Sequence, residues 1–329
     1  MCGISGLYSC DGRDLDLARA RRDIEAAGAA IAHRGPDASG TVMRAKVAFG
    51  HRRLAILDLN PRANQPMASP DGKVLVTYNG EIYNFRELRA ELECAGHAFA
   101  TTSDTEVLVC GYRHWGLGQT LARAAGMFAF ALYDETAGKL FLARDRAGKK
   151  PLYWALDQGR LCFCSELRGI FAMRPGPRQV CREGLECYLA LKYAPAPLTL
   201  VDGVKKVPPG CYLEFGTGEP KTAAYWSPLS KQPASLAYGQ ACEQVGVALD
   251  LAVRRRLVSD VPVCVFLSGG IDSSLIVDAA AVAGAAGLAA YTVGYTDMPG
   301  YNEFAYARLV AQRYPIDHRE LRVSSGEVL

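Results

Sequence analysis

The sequence predicts a two-domain α/β protein, in which a strand-rich domain is followed by a parallel-sheet domain. The length of 329 residues exceeds what a single hydrophobic core usually holds. The first two-thirds combine short strands with a few helices. Beyond a segment rich in proline and serine, strands and helices alternate, which favours a parallel sheet. We expect a first domain over residues 2–226, a linker over 227–235 and a second domain over 236–329.

Apolar runs bounded by turn residues predict the strands of the first domain. These strands are residues 48–51, 54–57, 74–78, 127–133 and 139–143. The last two flank residues 134–138, a predicted hairpin turn. Helical spacing of apolar residues predicts three helices, over residues 15–32, 85–95 and 104–115. Asp104 is the predicted N-cap of the third helix, because its side chain could accept a free first-turn N–H.

The second domain begins with a predicted amphipathic helix. Its apolar residues recur at every fourth position, at Ala241, Val245, Leu249, Val253 and Leu257. A buried apolar strand over 261–267, a glycine turn, an alanine-rich helix and a short strand over 290–293 follow. This order predicts the parallel sheet.

Composition excludes several classes of function. The 37 basic and 34 acidic residues are interleaved and leave a net charge of +3, without the basic stripe that nucleic-acid binding needs. The most apolar stretch, residues 261–295, is interrupted by Asp272, Asp278 and glycines, so it predicts no membrane span. Eleven cysteines without zinc spacing indicate a reducing compartment. We expect a cytoplasmic protein without nucleic-acid or membrane partners.

The second residue, Cys2, is a candidate nucleophile. After removal of Met1, it would carry a thiol and a free α-amine on one residue. These groups titrate at about pH 8.5 and about pH 8, so the amine could accept the thiol proton without a distant histidine. Many proteins have a cysteine after the start methionine, so this position alone does not identify a nucleophile. The assignment depends on other motifs in the chain.

A glycine loop between a strand and a helix marks the second domain. In Ser268-Gly269-Gly270, glycines allow close approach of the backbone to a ligand, and free N–H groups at the helix start attract phosphate. Ser273 and Ser274 add hydroxyl donors, and the usual P-loop ending is missing. The alternative is a tight glycine turn capped by Asp272.

Polar residues also cluster at strand ends and turns of the first domain. As isolated features, Asn79-Gly80 would be a hairpin turn and Arg53 a surface ion-pair residue. Together with Cys2-Gly3-Ile4, however, the polar segments resemble class II, N-terminal-nucleophile glutamine amidotransferases. The loop over 268–274 narrows the resemblance to glutamine-hydrolysing asparagine synthetases. The segments that carry it are residues 33–37, 51–54, 78–84, 103–106, 126–134, 143–153 and 165–167.

This resemblance implies a four-layer α-β-β-α Ntn-hydrolase domain, followed by the start of an ATP-pyrophosphatase domain. It implies that Cys2 attacks the side-chain amide of glutamine, with Asn79 and Gly80 as the oxyanion hole. Arg53 would hold the α-carboxylate of glutamine, and Asp104 with Glu81 the α-ammonium. Backbone groups would line the same pocket at Leu54, Ala55, Ile56 and Leu57.

The resemblance further implies a ligase that uses glutamine, aspartate and ATP with Mg²⁺, and no prosthetic group. Aspartate would be adenylated and then amidated by ammonia. A magnesium ion near Asp272 and a homodimer are compatible with it. The residues expected to contact ATP are Leu267, Ser268, Gly269, Gly270, Asp272, Ser273, Ser274 and Val293.

Members of this family continue well beyond the length of this chain, so we expect a fragment that is competent for glutamine hydrolysis only. Two alternatives remain open. An amidotransferase of the same family could amidate another carboxylate, or the fold could serve a non-catalytic regulatory protein.

Overall fold

This computed structural model describes residues 1–229, 235–285, 287–324 and 326. Contacts divide the chain into two units, Met1–Ser230 and Lys231–Leu329, and each is described by itself. Residues 230–234, which form most of the predicted linker, lie outside the described residues. None of the helices in the described ranges has the length and apolar character to span a membrane.

Within the described residues of the first unit, twelve strands form two six-stranded sheets. The first sheet has the order β10-β8-β9-β1-β3-β2, the second the order β12-β11-β7-β6-β5-β4, and neighbouring strands are antiparallel. The strands are β1 (Gly3–Ser9), β2 (Ala38–Met43), β3 (Val47–Arg53), β4 (Met67–Ala68), β5 (Val74–Ile82), β6 (Gly126–Asp134), β7 (Lys139–Arg144), β8 (Tyr153–Asp157), β9 (Arg160–Cys164), β10 (Lys205–Lys206), β11 (Cys211–Phe215) and β12 (Lys221–Ala224).

The two sheets pack face to face, and helices cover their outer faces. The core between the sheets joins Phe49 of β3 to Leu75 of β5 and Ala131 of β6. A second core packs Leu7 of β1 against α1 and α4, and α3 contacts β5 and α2. The predicted four-layer α-β-β-α arrangement is therefore confirmed. The helices are α1 (Leu17–Ala30), α2 (Phe85–Cys94), α3 (Asp104–Arg123), α4 (Leu167–Met173) and α5 (Arg182–Leu191).

Two local predictions in the first unit are wrong. Residues 54–57 form no strand, because the N–H of Leu54 is directed to the Cys2 sulfur and that of Ala55 to the Asp37 carboxylate. The N-cap of α3 is Ser103, whose hydroxyl accepts the N–H of Glu106, and the predicted cap Asp104 is the first helical residue. As a result, the Leu54 N–H lies beside Cys2 at the start of β1, and the Asp104 carboxylate lies beside Ile82 at the end of β5.

The second unit contains a parallel three-stranded sheet in the order β13-β14-β15 among its described residues, which confirms the predicted strand direction. Its elements are α6 (Tyr238–Arg256), β13 (Cys264–Phe266), α7 (Ile271–Val282), β14 (Ala289–Tyr295), α8 (Phe304–Ala311) and β15 (Asp317–Val323).

The predicted burial of this unit is only partly correct. In α6, Val253 is buried, whereas Val245 of the same stripe is 68% exposed. The reason is that the core shared with α7 includes the C-terminal half of α6. The predicted buried strand is shorter than expected, and Phe266 at its end is 76% exposed.

Candidate active site

Cys2 lies directly before β1, where the chain enters the first sheet. Its Sγ accepts a hydrogen bond from the N–H of Leu54 at 3.4 Å and contacts the Leu54 carbonyl oxygen at 3.6 Å. Burial raises the pKa of the Cys2 thiol, and the nearby Asp104 also raises it, whereas the Leu54 hydrogen bond and Arg53 lower it. The sulfur is thus held at the start of the predicted 54–57 pocket segment.

Arg34 and Glu166 anchor the backbone of this first strand. Arg34 Nε donates to the Cys2 carbonyl oxygen at 2.9 Å, and Arg34 Nη1 donates to Glu166 Oε1 at 2.9 Å. His33 Nε2 lies 2.9 Å from the same carboxylate oxygen. The sequence placed His33 and Arg34 among the polar segments but assigned them no role. Their proximity to Cys2 depends on pairing between distant strands, which local sequence does not reveal.

Asn79 and Gly80 lie within β5, so they do not form the hairpin turn that an isolated Asn-Gly would predict. Asn79 is 1% exposed, and its Nδ2 has no hydrogen-bond partner among the described residues. A Cβ on Gly80 would lie 2.5 Å from the Met127 carbonyl oxygen and 2.7 Å from the Phe128 Cα. Buried amide donors without a partner are rare in folded proteins, and one at this position is available to a ligand.

Asp104 is a buried carboxylate at the first turn of α3. Its Oδ2 accepts hydrogen bonds from the Tyr78 hydroxyl at 2.7 Å and from the Ile82 N–H at 2.9 Å. Burial raises the pKa of Asp104, against the effect of both hydrogen bonds. A buried carboxylate that remains short of a full counter-charge attracts a cation.

Arg53 is the last residue of β3, and its side chain is hydrogen-bonded to residues 57–64. Its Nη1 donates to the Asn60 carbonyl oxygen at 3.1 Å and to Asn64 Oδ1 at 2.6 Å. Its Nη2 donates to the Leu57 carbonyl oxygen at 3.2 Å and to that of Asp58. The guanidinium is buried and thereby fixes the course of the 54–64 segment.

Several candidate residues of the first unit influence one another's pKa. Burial raises the pKa of Tyr78 well above its ordinary value, and Asp104, Glu81 and Cys2 raise it further. Arg53 and Asp104 in turn affect the pKa of Cys2. The structure therefore brings Cys2, Arg53, Glu81 and Asp104 together from four separate segments, close to the end of β5 that carries Asn79 and Gly80.

The glycine loop of the second unit connects β13 to α7. Gly269 has φ +84°, and a Cβ there would lie 2.5 Å from Tyr306, so this position requires glycine. Gly270 is the N-cap of α7, and its carbonyl oxygen accepts the hydroxyls of Ser273 at 3.1 Å and Ser274 at 2.8 Å. The Ser268 hydroxyl lies 3.1 Å from that of Ser273. The serines thus order a turn that opens into a helix N-terminus.

The other residues predicted to contact ATP lie on β14, in the first turn of α7 and directly after β13. Leu267 is buried, its N–H donates to the Tyr291 carbonyl oxygen at 2.9 Å, and its carbonyl oxygen accepts the Thr292 hydroxyl. Val293 on β14 is 47% exposed, and Asp272 lies in the first turn of α7. Among the described residues, no group of three or more histidine, cysteine, aspartate or glutamate side chains could hold a metal.

Comparison with protein families gives two matches. Residues 1–226 match the family described as glutamine amidotransferase domain. Residues 244–329 match the asparagine synthase family.

Curated relatives agree with these matches. The chain is 33% identical over its full length to asparagine synthetase [glutamine-hydrolyzing] 1 of Bacillus subtilis and covers 51% of that protein. It is 36% identical to asparagine synthetase [glutamine-hydrolyzing] 3 of the same organism, with 92% of this chain and 49% of that protein covered. Amidase chry2 of Gibberella zeae is 35% identical over 84% of the chain and 42% of its own length. The chain thus spans about half the length of these curated relatives.

Among solved structures, the allosteric regulatory enzyme of purine biosynthesis is similar, with a TM-score of 0.54 and 16% identity. The similarity covers 97% of this chain and 80% of that one. At this level of identity, the similarity concerns the fold.

Proposed function

This chain belongs to the glutamine amidotransferase family, with an asparagine synthase segment after it, and from this premise we propose that its first unit hydrolyses glutamine to glutamate and ammonia. In the whole protein, the ammonia would convert aspartate to asparagine at the expense of ATP. The observation that carries the proposal is the Cys2 sulfur, which accepts the Leu54 N–H and has Asp104 and Arg53 nearby, together with the buried Asn79, whose Nδ2 has no partner among the described residues.

The chemistry requires removal of Met1, which frees the α-amine of Cys2. The sulfur attacks the carboxamide carbon of glutamine while the α-amine accepts the thiol proton. The tetrahedral intermediate places a negative charge on the former carbonyl oxygen, which Asn79 Nδ2 and the Gly80 N–H stabilise. One such donor contributes about 3 kcal/mol in the transition state. The α-ammonium then protonates the leaving nitrogen, ammonia departs, and water hydrolyses the γ-glutamyl thioester to regenerate the thiol.

Recognition of glutamine uses the two ends of its α-amino-acid group. We assign the α-ammonium to Asp104, with Glu81 beside it, because among the described residues the buried Asp104 carboxylate is compensated by hydrogen bonds rather than by a salt bridge. We assign the α-carboxylate to Arg53, whose planar guanidinium suits such a group. Its terminal N–H groups point to oxygen atoms of residues 57–64, so the carboxylate would replace carbonyl acceptors as it binds.

The second unit would bind ATP through the loop between β13 and α7. The N–H groups at the start of α7 suit phosphate oxygens, and the loop hydroxyls lie beside them. Asp272 in the first turn would share Mg²⁺ with the phosphates, since magnesium bound to nucleotides commonly takes one or two carboxylates. Leu267, which follows β13, and Val293, whose side chain on β14 is half-exposed, would line the adenosine site. We also place the protein in the cytoplasm, in keeping with eleven unpaired cysteines.

The glutaminase proposal is tested by the intact mass of the purified chain before and after reaction with diazo-oxo-norleucine, a glutamine analogue. We expect loss of Met1 and a single adduct, which Cys2→Ala abolishes. The exposed Cys94 supplies the matched control, because Cys94→Ala should keep the adduct. A retained Met1 without an adduct would contradict the proposal.

The synthetase part of the proposal needs a separate assay. The 329-residue chain is incubated with aspartate, ATP and glutamine, and formation of glutamate, AMP and asparagine is measured. We expect glutamate without AMP or asparagine from this chain, and all three products from a full-length relative. Formation of AMP by this chain alone would contradict the restriction to glutamine hydrolysis.

A further inference from the structure

His51 is a buried histidine of β3 to which the proposed reaction assigns no task. It is 4% exposed, and burial lowers its pKa to about 4, so the imidazole is uncharged at neutral pH. An uncharged imidazole carries its proton on one ring nitrogen only. Its Nε2 lies 3.1 Å from the Tyr78 carbonyl oxygen, which can only accept, so Nε2 is the protonated nitrogen and donates. Among the described residues, Nδ1 of His51 has no hydrogen-bond partner.

This hydrogen bond links the two sheets of the first unit. His51 lies on β3 of the first sheet, opposite Ile4 of β1, and Ile4 is two residues after Cys2. Tyr78 lies on β5 of the second sheet, directly before Asn79. The bond therefore joins the strand beside the proposed nucleophile to the strand that carries the proposed oxyanion donors.

The backbone of Tyr78 lies where β5 has lost its neighbour on one side. In the described sheet, β4 pairs with β5 no farther than Val76. At Tyr78, Gln65 Oε1 accepts the backbone N–H at 2.7 Å, and His51 donates to the carbonyl oxygen. These two side chains thus supply the hydrogen bonds that a neighbouring strand would otherwise provide.

The Gly80 N–H faces the same open edge of β5. Phe128 of β6 is the register partner of Gly80, but its N–H donates to Asp145 Oδ2 at 3.1 Å and its carbonyl oxygen accepts the Asp145 N–H at 2.8 Å. Both backbone groups of Phe128 are therefore directed away from β5. Because residues two apart on a strand direct their backbone groups to the same side, the N–H of Gly80 points to the same edge as that of Tyr78.

We propose that His51 is a positioning residue of the glutaminase site, which holds the peptide between Tyr78 and Asn79 and thereby aims the Asn79 amide and the Gly80 N–H at the substrate oxygen. The inference rests on the function proposed above. The Tyr78 carbonyl and the Asn79 N–H belong to one planar peptide unit, so a hydrogen bond to this carbonyl fixes the direction in which the chain enters Asn79. A displacement of catalytic groups by about 1 Å can lower the rate by about 10²-fold.

A second hydrogen bond between the sheets provides the matched control. The Thr77 hydroxyl donates to the Gly50 carbonyl oxygen at 3.2 Å, and Thr77 is fully buried. This bond joins the same two strands, one residue earlier on each, but its backbone partner belongs to β3 rather than to β5. Thr77→Val replaces the hydroxyl by a methyl group, so it removes this bond and leaves the carbonyl of Tyr78 paired.

The test compares His51→Leu, His51→Gln and Thr77→Val with the parent chain in glutamine hydrolysis and thermal unfolding. His51→Leu removes the donor, so kcat should fall by about 10²-fold. KM should change little, because the residues assigned to the α-amino-acid group of glutamine are retained. His51→Gln should recover most of kcat, since its side-chain amide donates from the same distance along the side chain. Thr77→Val should lose stability and keep kcat.

A double-mutant cycle shows whether His51 acts through Asn79. In the Asn79→Ala background the amide is missing, and the remaining effect passes through the Gly80 N–H. His51→Leu should therefore lower kcat by about tenfold or less in that background, because coupled residues are not additive. Equal factors in the two backgrounds would overturn the inference.

Two further outcomes would also overturn it. One is a folded His51→Leu chain with the parental kcat, which would show that the hydrogen bond does not support catalysis. The other is a folded His51→Gln chain as impaired as His51→Leu, which would show that the shape of the imidazole matters rather than its donor. If His51→Leu does not fold, His51→Met takes its place in the same comparison.

The two proposals fail in different ways. If the folded parent chain hydrolyses no glutamine, the proposed function fails, and the inference about His51 fails with it. If the parent chain is active and its kcat does not depend on the His51 donor, only the inference fails.

Discussion

The Tyr78 hydroxyl donates a 2.7 Å hydrogen bond to Asp104 Oδ2, and both side chains are buried. This bond joins β5 to the first turn of α3. Burial raises the pKa of both groups, so the carboxylate is held in an environment that disfavours its charge. Such an arrangement costs stability and prepares a site for a cation, which the proposal identifies as the α-ammonium of glutamine.

Asp104→Asn should therefore weaken glutamine binding without lowering the stability of the protein at neutral pH. Because the pKa of Asp104 is raised above 3.8, the ionised form destabilises the native protein, and stability is lost as pH rises from 3.8 through the folded pKa. At neutral pH we expect the variant to be at least as stable as the parent in urea unfolding. The difference should shrink in acid. KM for glutamine should rise by about tenfold or more, since a charged hydrogen bond contributes about 1.5–3 kcal/mol.

Tyr78→Phe provides the control for this result. It removes one hydrogen bond to Asp104 but keeps the carboxylate, so stability should fall by about 1 kcal/mol. KM should change less than in Asp104→Asn. A parental KM together with reduced stability at neutral pH in Asp104→Asn would mean that the carboxylate has a structural role only.

Asn79→Ala should reduce catalysis without a comparable loss of stability. Its Nδ2 has no partner among the described residues, so the variant loses no hydrogen bond donated by this nitrogen there. Loss of an oxyanion donor should lower kcat by about 10²–10³-fold. Steady-state kinetics and thermal unfolding measure the two effects.

Asn84→Ala is the matched control for Asn79→Ala. The Asn84 side chain donates to the Arg123 carbonyl oxygen at 3.0 Å and accepts the Ala125 N–H at 2.8 Å. We expect this variant to lose stability and keep kcat. If Asn79→Ala kept the parental kcat, Asn79 would have no place in the oxyanion hole.

Gly80→Ala should disturb both stability and catalysis. The added Cβ would lie 2.5 Å from the Met127 carbonyl oxygen and 2.7 Å from the Phe128 Cα, and these backbone atoms cannot move without separating β5 from β6. Overpacking of this kind costs about 1–3 kcal/mol. The Gly80 N–H would shift as well, so kcat should fall. Chemical unfolding and glutaminase kinetics measure both changes.

Gly118→Ala is the control for Gly80→Ala, because the added methyl group meets no neighbouring segment at this position. Gly118 lies in α3, and apart from its own helix backbone and chain neighbours no atom of the described residues lies within 4 Å of the added Cβ. Alanine is the better helix former by about 0.5–1 kcal/mol, so stability should rise and activity should stay unchanged. Equal stability of Gly80→Ala and the parent chain would contradict the described packing of β5 on β6.

Much of the fold follows from local patterns in the sequence. Residues 126–134 and 139–144 form the predicted hairpin, because apolar strands flank a turn with glycine at 138. The strand-loop-helix order around Gly269 and Gly270 was predictable for the same reason. Residues 54–57 were not, because they are as apolar as a strand but their N–H groups bond to Cys2 and Asp37. The exposure of Val245 and Phe266 also depends on which elements cover them, and local sequence carries no such information.

The sequence by itself determined the residue types of the site and the secondary structure around them, because motif spacing and apolar periodicity are local properties of the chain. Tertiary structure alone decided which groups share one environment. It buried Asp104 beneath Tyr78 and directed Arg53 to residues 57–64. Burial and the distances between charges arise only when remote segments pack together, and they set the pKa values on which the proposed chemistry depends.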